Sequence, residues 1–168
     1  MKNTELYAGL LEREAAISRR MLERVPEGRP DWKPHEKSMP FGYLSSLVAS
    51  MPSWIAMAIN QAELDLNPPG GSAQRPSPPA TNRELLDSHE QAVAAARQAL
   101  GGTNEEFLRT PWRLLVAGKV VQEMPRHTVI EDTFTHLAHH RGQLSVYLRL
   151  LEVPLASIYG PTADDKRF

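Results

Sequence analysis

The residues richest in chemistry lie in one short run, Asp132-Thr133-Phe134-Thr135-His136-Leu137-Ala138-His139-His140-Arg141-Gly142-Gln143. His136 and His140 are four positions apart. On a helix, that spacing separates two side chains by about 40° in direction and about 6 Å in rise, so both imidazoles can point into one site. Two neutral imidazoles suit a zinc, nickel or other borderline divalent ion. They do not complete a site, because a third ligand must come from another element. The plainer alternative is a pair of surface or half-buried polar residues, and the spacing alone fits both.

Other residues can be weighed as the missing ligand. His139 sits about 60° from His136, on the opposite side from His140, and is read as facing a neighbour or solvent. Asp132 continues the imidazole stripe one turn earlier, but about 12 Å from His140 along the axis. It is read as a partner that orients His136, a role that ligating imidazoles commonly need. His89, in the phrase DSHEQAV, is read as exposed, and His35 and Glu36 as structural loop residues. Arg141 and Gln143 either bind an anionic or amide group beside the pair, or face solvent and the backbone respectively. Trp32, Trp54 and Trp112 either line a pocket or serve a core or dimer interface. Ser45 and Ser46 have no acid or base placed to make a nucleophile.

The elements that must position these groups follow from periodicity. A first helix is expected from about Asn3 to Glu23, with Thr4 as its cap, ended by Pro26, Gly28 and Pro30. After a loop, Ser38 and Pro40 open a second helix that runs to about Leu64. Phe41, Leu44, Leu47, Val48, Met51 and Ile55 form its apolar stripe, and Pro52 kinks it. The proline- and glycine-rich stretch 67–81 reads as an exposed connection. Thr81 or Asn82 caps a third helix that ends at Gly101-Gly102. The stretch 109–124 reads as a small hairpin around Ala117-Gly118-Lys119. A fourth long helix starts near His127 or Thr128 and reaches about Glu152, followed by an irregular tail. The expectation is one all-α domain over 1–168, a helix bundle with a minor hairpin before the last long helix.

Bulk properties narrow the function. The chain has 168 residues, enough for a substantial core. It has no cysteine, which removes disulfides, thiolate metal sites and a cysteine nucleophile. A net charge of -1 gives no basic surplus for phosphate backbones, so no nucleic-acid partner is expected. No stretch approaches the roughly 20 apolar residues of a membrane helix, so no membrane partner is expected either. The charged N-terminal segment has no secretory pattern, and the expected location is the cytoplasm.

Three phrases carry a resemblance: WKPHEKSMPFGYL at 32–44, THLAHHRGQLSVYLR at 135–149 and YGPTADD at 159–165. In this order and spacing they resemble the DinB-like family. The resemblance implies a four-helix bundle with a central divalent-metal site, often in a homodimer. Some members are similar to S-transferases and isomerases that use low-molecular-weight thiols, while many have no assigned activity. It also implies three metal-binding histidines, one on the second helix and an HxxxH pair on the last. The pair falls on His136 and His140. The second-helix position falls on Leu47, in Leu44-Ser45-Ser46-Leu47-Val48-Ala49 ahead of Pro52 and Trp54. Leucine cannot ligate a metal. The favoured expectation is therefore a bundle with a degenerate metal site and a small-molecule-binding or structural role, with zinc or nickel weakly bound or absent. The alternative is a divalent-metal-dependent thiol S-transferase or hydrolase acting on a small electrophile. Leu47, Asp132, Arg141 and Gln143 are the expected pocket or supporting residues.

Overall fold

The computed structural model describes residues 2–71 and 78–167. The expected 67–81 connection lies partly outside them. Six helices and three short strands follow in the order α1 (Asn3–Leu22), α2 (Phe41–Ser50), α3 (Ser53–Asn60), β1 (Glu63–Asp65), α4 (Asn82–Gly102), α5 (Glu105–Leu108), β2 (Pro111–Val116), β3 (Lys119–Pro125) and α6 (Arg126–Leu150). The molecule is mostly helical, but it is not strictly all-α. The expected hairpin is present, and β1 adds to it in parallel, giving a sheet of order β1-β2-β3.

Each long helix buries one stripe. On α1 the buried residues Tyr7, Leu11, Ala15, Ser18 and Leu22 recur every three or four positions. On α6 the stripe is Ile130, Thr133, Leu137, Arg141, Leu144 and Leu148, so Arg141 takes a core-facing position among aliphatic residues. α1, α2, α3 and α6 all pack against one another or against α4. The core divides into two clusters. One joins Tyr7, Leu11, Ile55, Val93, Leu108 and Ile130. The other joins Met21, Phe41, Leu44, Val48, Leu137 and Leu144. The tail after α6 is irregular, as expected, and lays Val153, Leu155 and Ile158 over the second cluster.

The second expected helix is broken rather than merely kinked. α2 and α3 meet at a 54° bend, and the chain beyond Asn60 becomes β1 instead of continuing to Leu64. Pro52 has no N–H to give the Val48 carbonyl, so the ladder opens there. The carbonyls released nearby find side chains. Ser53 Oγ donates to the Ser50 carbonyl at 2.7 Å. The Nδ1 of His89 lies 3.1 Å from the Ala49 carbonyl, and its Nε2 lies 3.1 Å from the Ala15 carbonyl. His89 is therefore buried and ties α4 to α1 and α2, contrary to its expected exposure. Polar backbone exposed by a kink must be satisfied inside the core, and an imidazole reaches two helices at once.

Helix ends follow local chemistry. Thr81 caps α4, its Oγ1 accepting from Glu84 N at 3.2 Å, while α4 runs through Gly101 and Gly102 to Thr103. α1 starts after Lys2, without the expected Thr4 cap. Arg126 is buried at the sheet-to-α6 junction. Its Nη1 donates to the carbonyls of Ala58 and Gln61 at the end of α3, the latter at 2.5 Å. A guanidinium at a helix C-terminus satisfies carbonyls that the helix leaves open.

The hairpin turns at Ala117 and Gly118, both with positive φ, at 52° and 76°. Two residues of positive φ match the twist of paired strands. Asp65 of β1 secures this turn, its carboxylate accepting from Ala117 N at 3.1 Å and Gly118 N at 2.7 Å. Among the described residues, no single helix is long and apolar enough to cross a membrane.

Candidate functional site

α6 brings His136 and His140 together. Their Nε2 atoms are 2.8 Å apart, and His140 Nδ1 is 2.8 Å from Gln143 Oε1. One proton arrangement satisfies all three groups. His140 Nδ1–H donates to the Gln143 amide oxygen, which leaves His140 Nε2 as an acceptor for His136 Nε2–H. Gln143 thus sets the tautomer of His140, as a supporting group does for a ligating imidazole. His140 is buried, whereas His136 is exposed at its outer edge. The bend at Pro52 turns Trp54 onto His136, with ring centroids 5.4 Å apart and edge-on geometry. Partial burial lowers the His136 pKa below its ordinary 6.5, with the neighbouring His140 and His139 adding to the fall and Asp132 opposing it. The neutral ring therefore predominates at pH 7.

His136 opens onto a groove of about 380 Å³ between α3, the sheet and α6. Trp54 and Met57 form the α3 wall. Leu64, Trp112, Leu114 and Met124 form the sheet wall, and Val129, Asp132 and Thr133 join His136 on the α6 side. Apolar walls with a few convergent polar groups are the usual makeup of a ligand pocket. A second cleft of about 300 Å³, between residues 25–31 and the starts of α2 and α4, shares no residue with this groove and holds no imidazole. The groove bearing His136 is the candidate site because there a cavity reaches the outer member of the imidazole pair.

The remaining expected site residues fall in different places. Asp132 lines the groove one turn before His136. Gln143 bonds to His140 rather than to backbone or ligand. Leu47 is half-buried and packs against the second core cluster. Arg141 faces neither solvent nor a ligand. It is 1% exposed and donates to Glu14 Oε2, to the Glu14 carbonyl at 3.1 Å, to Ser18 Oγ at 2.9 Å and to the Tyr159 hydroxyl. His139 is exposed, with its ring 5.1 Å from that of His140. Of the sheet wall, the hairpin and Trp112 as a candidate pocket residue are read from the sequence, but Leu64, Leu114 and Met124 are not. Its signal was the alternation of Trp112 with Leu114 and of Gln122 with Met124, which puts all four on one face.

The donor set does not fit a closed metal site. The two Nε2 atoms converge, but among the described residues no group of three His, Cys, Asp or Glu side chains is placed to hold an ion. Structural zinc needs four ligands, and catalytic zinc three from the protein.

A helical molecule with a cross-braced imidazole pair beside an apolar groove is the class that fold and site define. The chain belongs to the DinB family, which it matches over residues 72–166, more than half its length. It is 30% identical over 94 residues to the uncharacterized protein YrdA of Bacillus subtilis (strain 168), an alignment covering 52% of this chain and 50% of that protein. The match thus spans about half the length of that curated relative. The fold is similar to that of a DinB-like protein from Bacillus cereus ATCC 10987, with a TM-score of 0.69 at 16% identity over 94% of this chain and 97% of the other. A DinB-like protein from Bacillus subtilis, YjoA, gives a TM-score of 0.67 at 16% identity over 96% and 99% of the two chains.

Proposed function

We propose that this chain is a small-molecule-binding member of its family, a four-helix bundle with a degenerate metal site. α1, the bent pair α2–α3, α4 and α6 are the four members of that bundle. The observation that carries the reading is the groove of about 380 Å³ with His136 at its edge, with no group of three His, Cys, Asp or Glu side chains among the described residues placed to hold an ion. His136 and His140 then act as a hydrogen-bonded polar wall, with Gln143 fixing the inner ring. A homodimer in the cytoplasm is the corresponding expectation for its assembly and location, and analytical ultracentrifugation checks the first.

A second reading is a zinc- or nickel-dependent thiol S-transferase or hydrolase. One observation favours it: two Nε2 atoms 2.8 Å apart are close enough to be neighbouring ligands of one ion. Elemental analysis of untagged protein, repeated after incubation with zinc or nickel, decides between the two. Metal far below one ion per chain in both samples supports the binding role. Near one ion per chain overturns the degenerate-site reading and makes the enzyme the better account.

A further inference from the structure

The charge character of the groove selects the sign of its ligand. Among the described residues, Asp132 and His136 are the ionisable groups of its lining, which includes no lysine or arginine. The Asp132 carboxylate makes no hydrogen bond or ion pair among the described residues. The cations nearest in sequence or strand are committed elsewhere. Arg126, at the start of α6, is buried with its guanidinium on Thr110 Oγ1 and the Ala58 and Gln61 carbonyls. Arg141 is buried against Glu14, and Arg113 of β2 pairs with Glu63 at 2.8 Å. The walls offer what a weakly hydrated cation needs, namely the indole rings of Trp54 and Trp112 and the thioethers of Met57 and Met124. An anion would enter apolar surroundings in which the described lining carries a carboxylate and no cationic side chain of lysine or arginine.

We propose that this groove takes a small organic cation, a monovalent ammonium carried on an aromatic or branched aliphatic body. The ammonium lies at the Asp132 end, and the body lies between Trp54 and the sheet. The proposal rests on reading the groove as a ligand site. It goes further in disfavouring a carboxylate-bearing thiol, whose like charge would face Asp132.

Isothermal titration at fixed ionic strength tests this with three probes of similar size: benzyltrimethylammonium, the neutral 2-methyl-1-phenyl-2-propanol, and 3-phenylpropanoate. The cation is expected to bind at least about tenfold more tightly than the carboxylate, from an exposed charge pair and a cation–π contact together. Asp132→Asn is expected to weaken the cation about three- to fivefold and to leave the alcohol within about twofold. Raising the salt concentration on the unaltered protein should weaken the cation alone, which checks the charge without any substitution. Equal or tighter binding of 3-phenylpropanoate overturns the proposal while the groove remains a ligand site. A cation affinity indifferent to both Asp132→Asn and salt does the same. Binding of none of the three probes overturns the groove reading along with the proposal.

Discussion

Replacing Glu14 by alanine removes the carboxylate that Arg141 was buried to meet. The two side chains are 7% and 1% exposed, so neither reaches bulk water. In Glu14→Ala the guanidinium keeps Ser18 Oγ, the residue 14 carbonyl and the Tyr159 hydroxyl, all neutral acceptors. Breaking a buried pair from one side costs about 3–5 kcal/mol, and the three surviving bonds place this case near the lower bound. For a domain of this size a loss of about 3 kcal/mol lowers Tm by roughly 6–12 °C. The assay is urea unfolding followed by circular dichroism, with the slope m compared between variants. The double variant Glu14→Leu/Arg141→Met exchanges both charges for apolar bulk and should return to within about 1 kcal/mol of the unaltered protein. The pair also sets an acid limit. Burial pushes the Glu14 carboxyl up, but hydrogen bonds from Arg141, Tyr159 and Arg13 outweigh it and leave the pKa below the ordinary 4.5. A lowered native pKa contributes stability above that ordinary value, and the contribution is lost as pH falls through the native one. Glu14→Gln should therefore flatten the loss of stability below about pH 4.5. A Glu14→Ala cost under about 1 kcal/mol at unchanged m would refute the reasoning, because it would mean that Arg141 escapes to water.

Four further outcomes follow from the same contacts. Leu47→His should raise zinc affinity at least about tenfold by adding a third imidazole. An unchanged affinity in a folded variant would show that Leu47 is not the ligand position. His140→Ala should keep the helical circular dichroism, lose about 1–2 kcal/mol and abolish whatever zinc or nickel binding the unaltered protein shows. Global unfolding of that variant at room temperature would make the imidazole a core necessity instead. Arg126→Met should cost about 2–4 kcal/mol and speed amide exchange at the end of α3, since it strips the donor from the Ala58 and Gln61 carbonyls. Exchange unchanged there would count against the cap. Gly42→Ala should cost about 1–3 kcal/mol, because a Cβ would sit 2.9 Å from Pro30 Cβ and 3.1 Å from Pro78 Cβ. A neutral melt would show that both prolines move aside.

What was legible in the sequence was whatever depends on local spacing. The apolar stripes placed the four long helical segments, Thr81 marked the start of α4, and Ala117-Gly118 marked the hairpin turn. His136 and His140 met as their spacing required, whereas Gln143 bonds to His140 and not to the backbone or ligand group its sequence position suggested. Long-range partners were not legible. His89 looks like a surface residue until the break at Pro52 frees the Ala49 carbonyl for it. Arg141 looks like a surface cation until Glu14, far away in the chain, is seen opposite. β1 was absorbed into the expected second helix because its three residues carry too little alternation to announce a strand. Without β1 and the paired hairpin the groove has no far wall, and its lining could not be listed from helices alone.

The bond from Arg141 to the Glu14 carbonyl spans 127 positions of the chain. A ribosome delivers those ends at different times, and at about 5–20 residues per second the gap is roughly 6–25 s. During that interval the inward-facing carboxylate of α1 has the exposed Arg13 beside it but not the buried guanidinium, and water must stay there with it. Dry closure of the interior around α1 therefore waits for residues made much later, Arg141 and Tyr159 among them. A nascent chain paused before them holds an open, hydrated seam, and chaperones would meet the protein in that form.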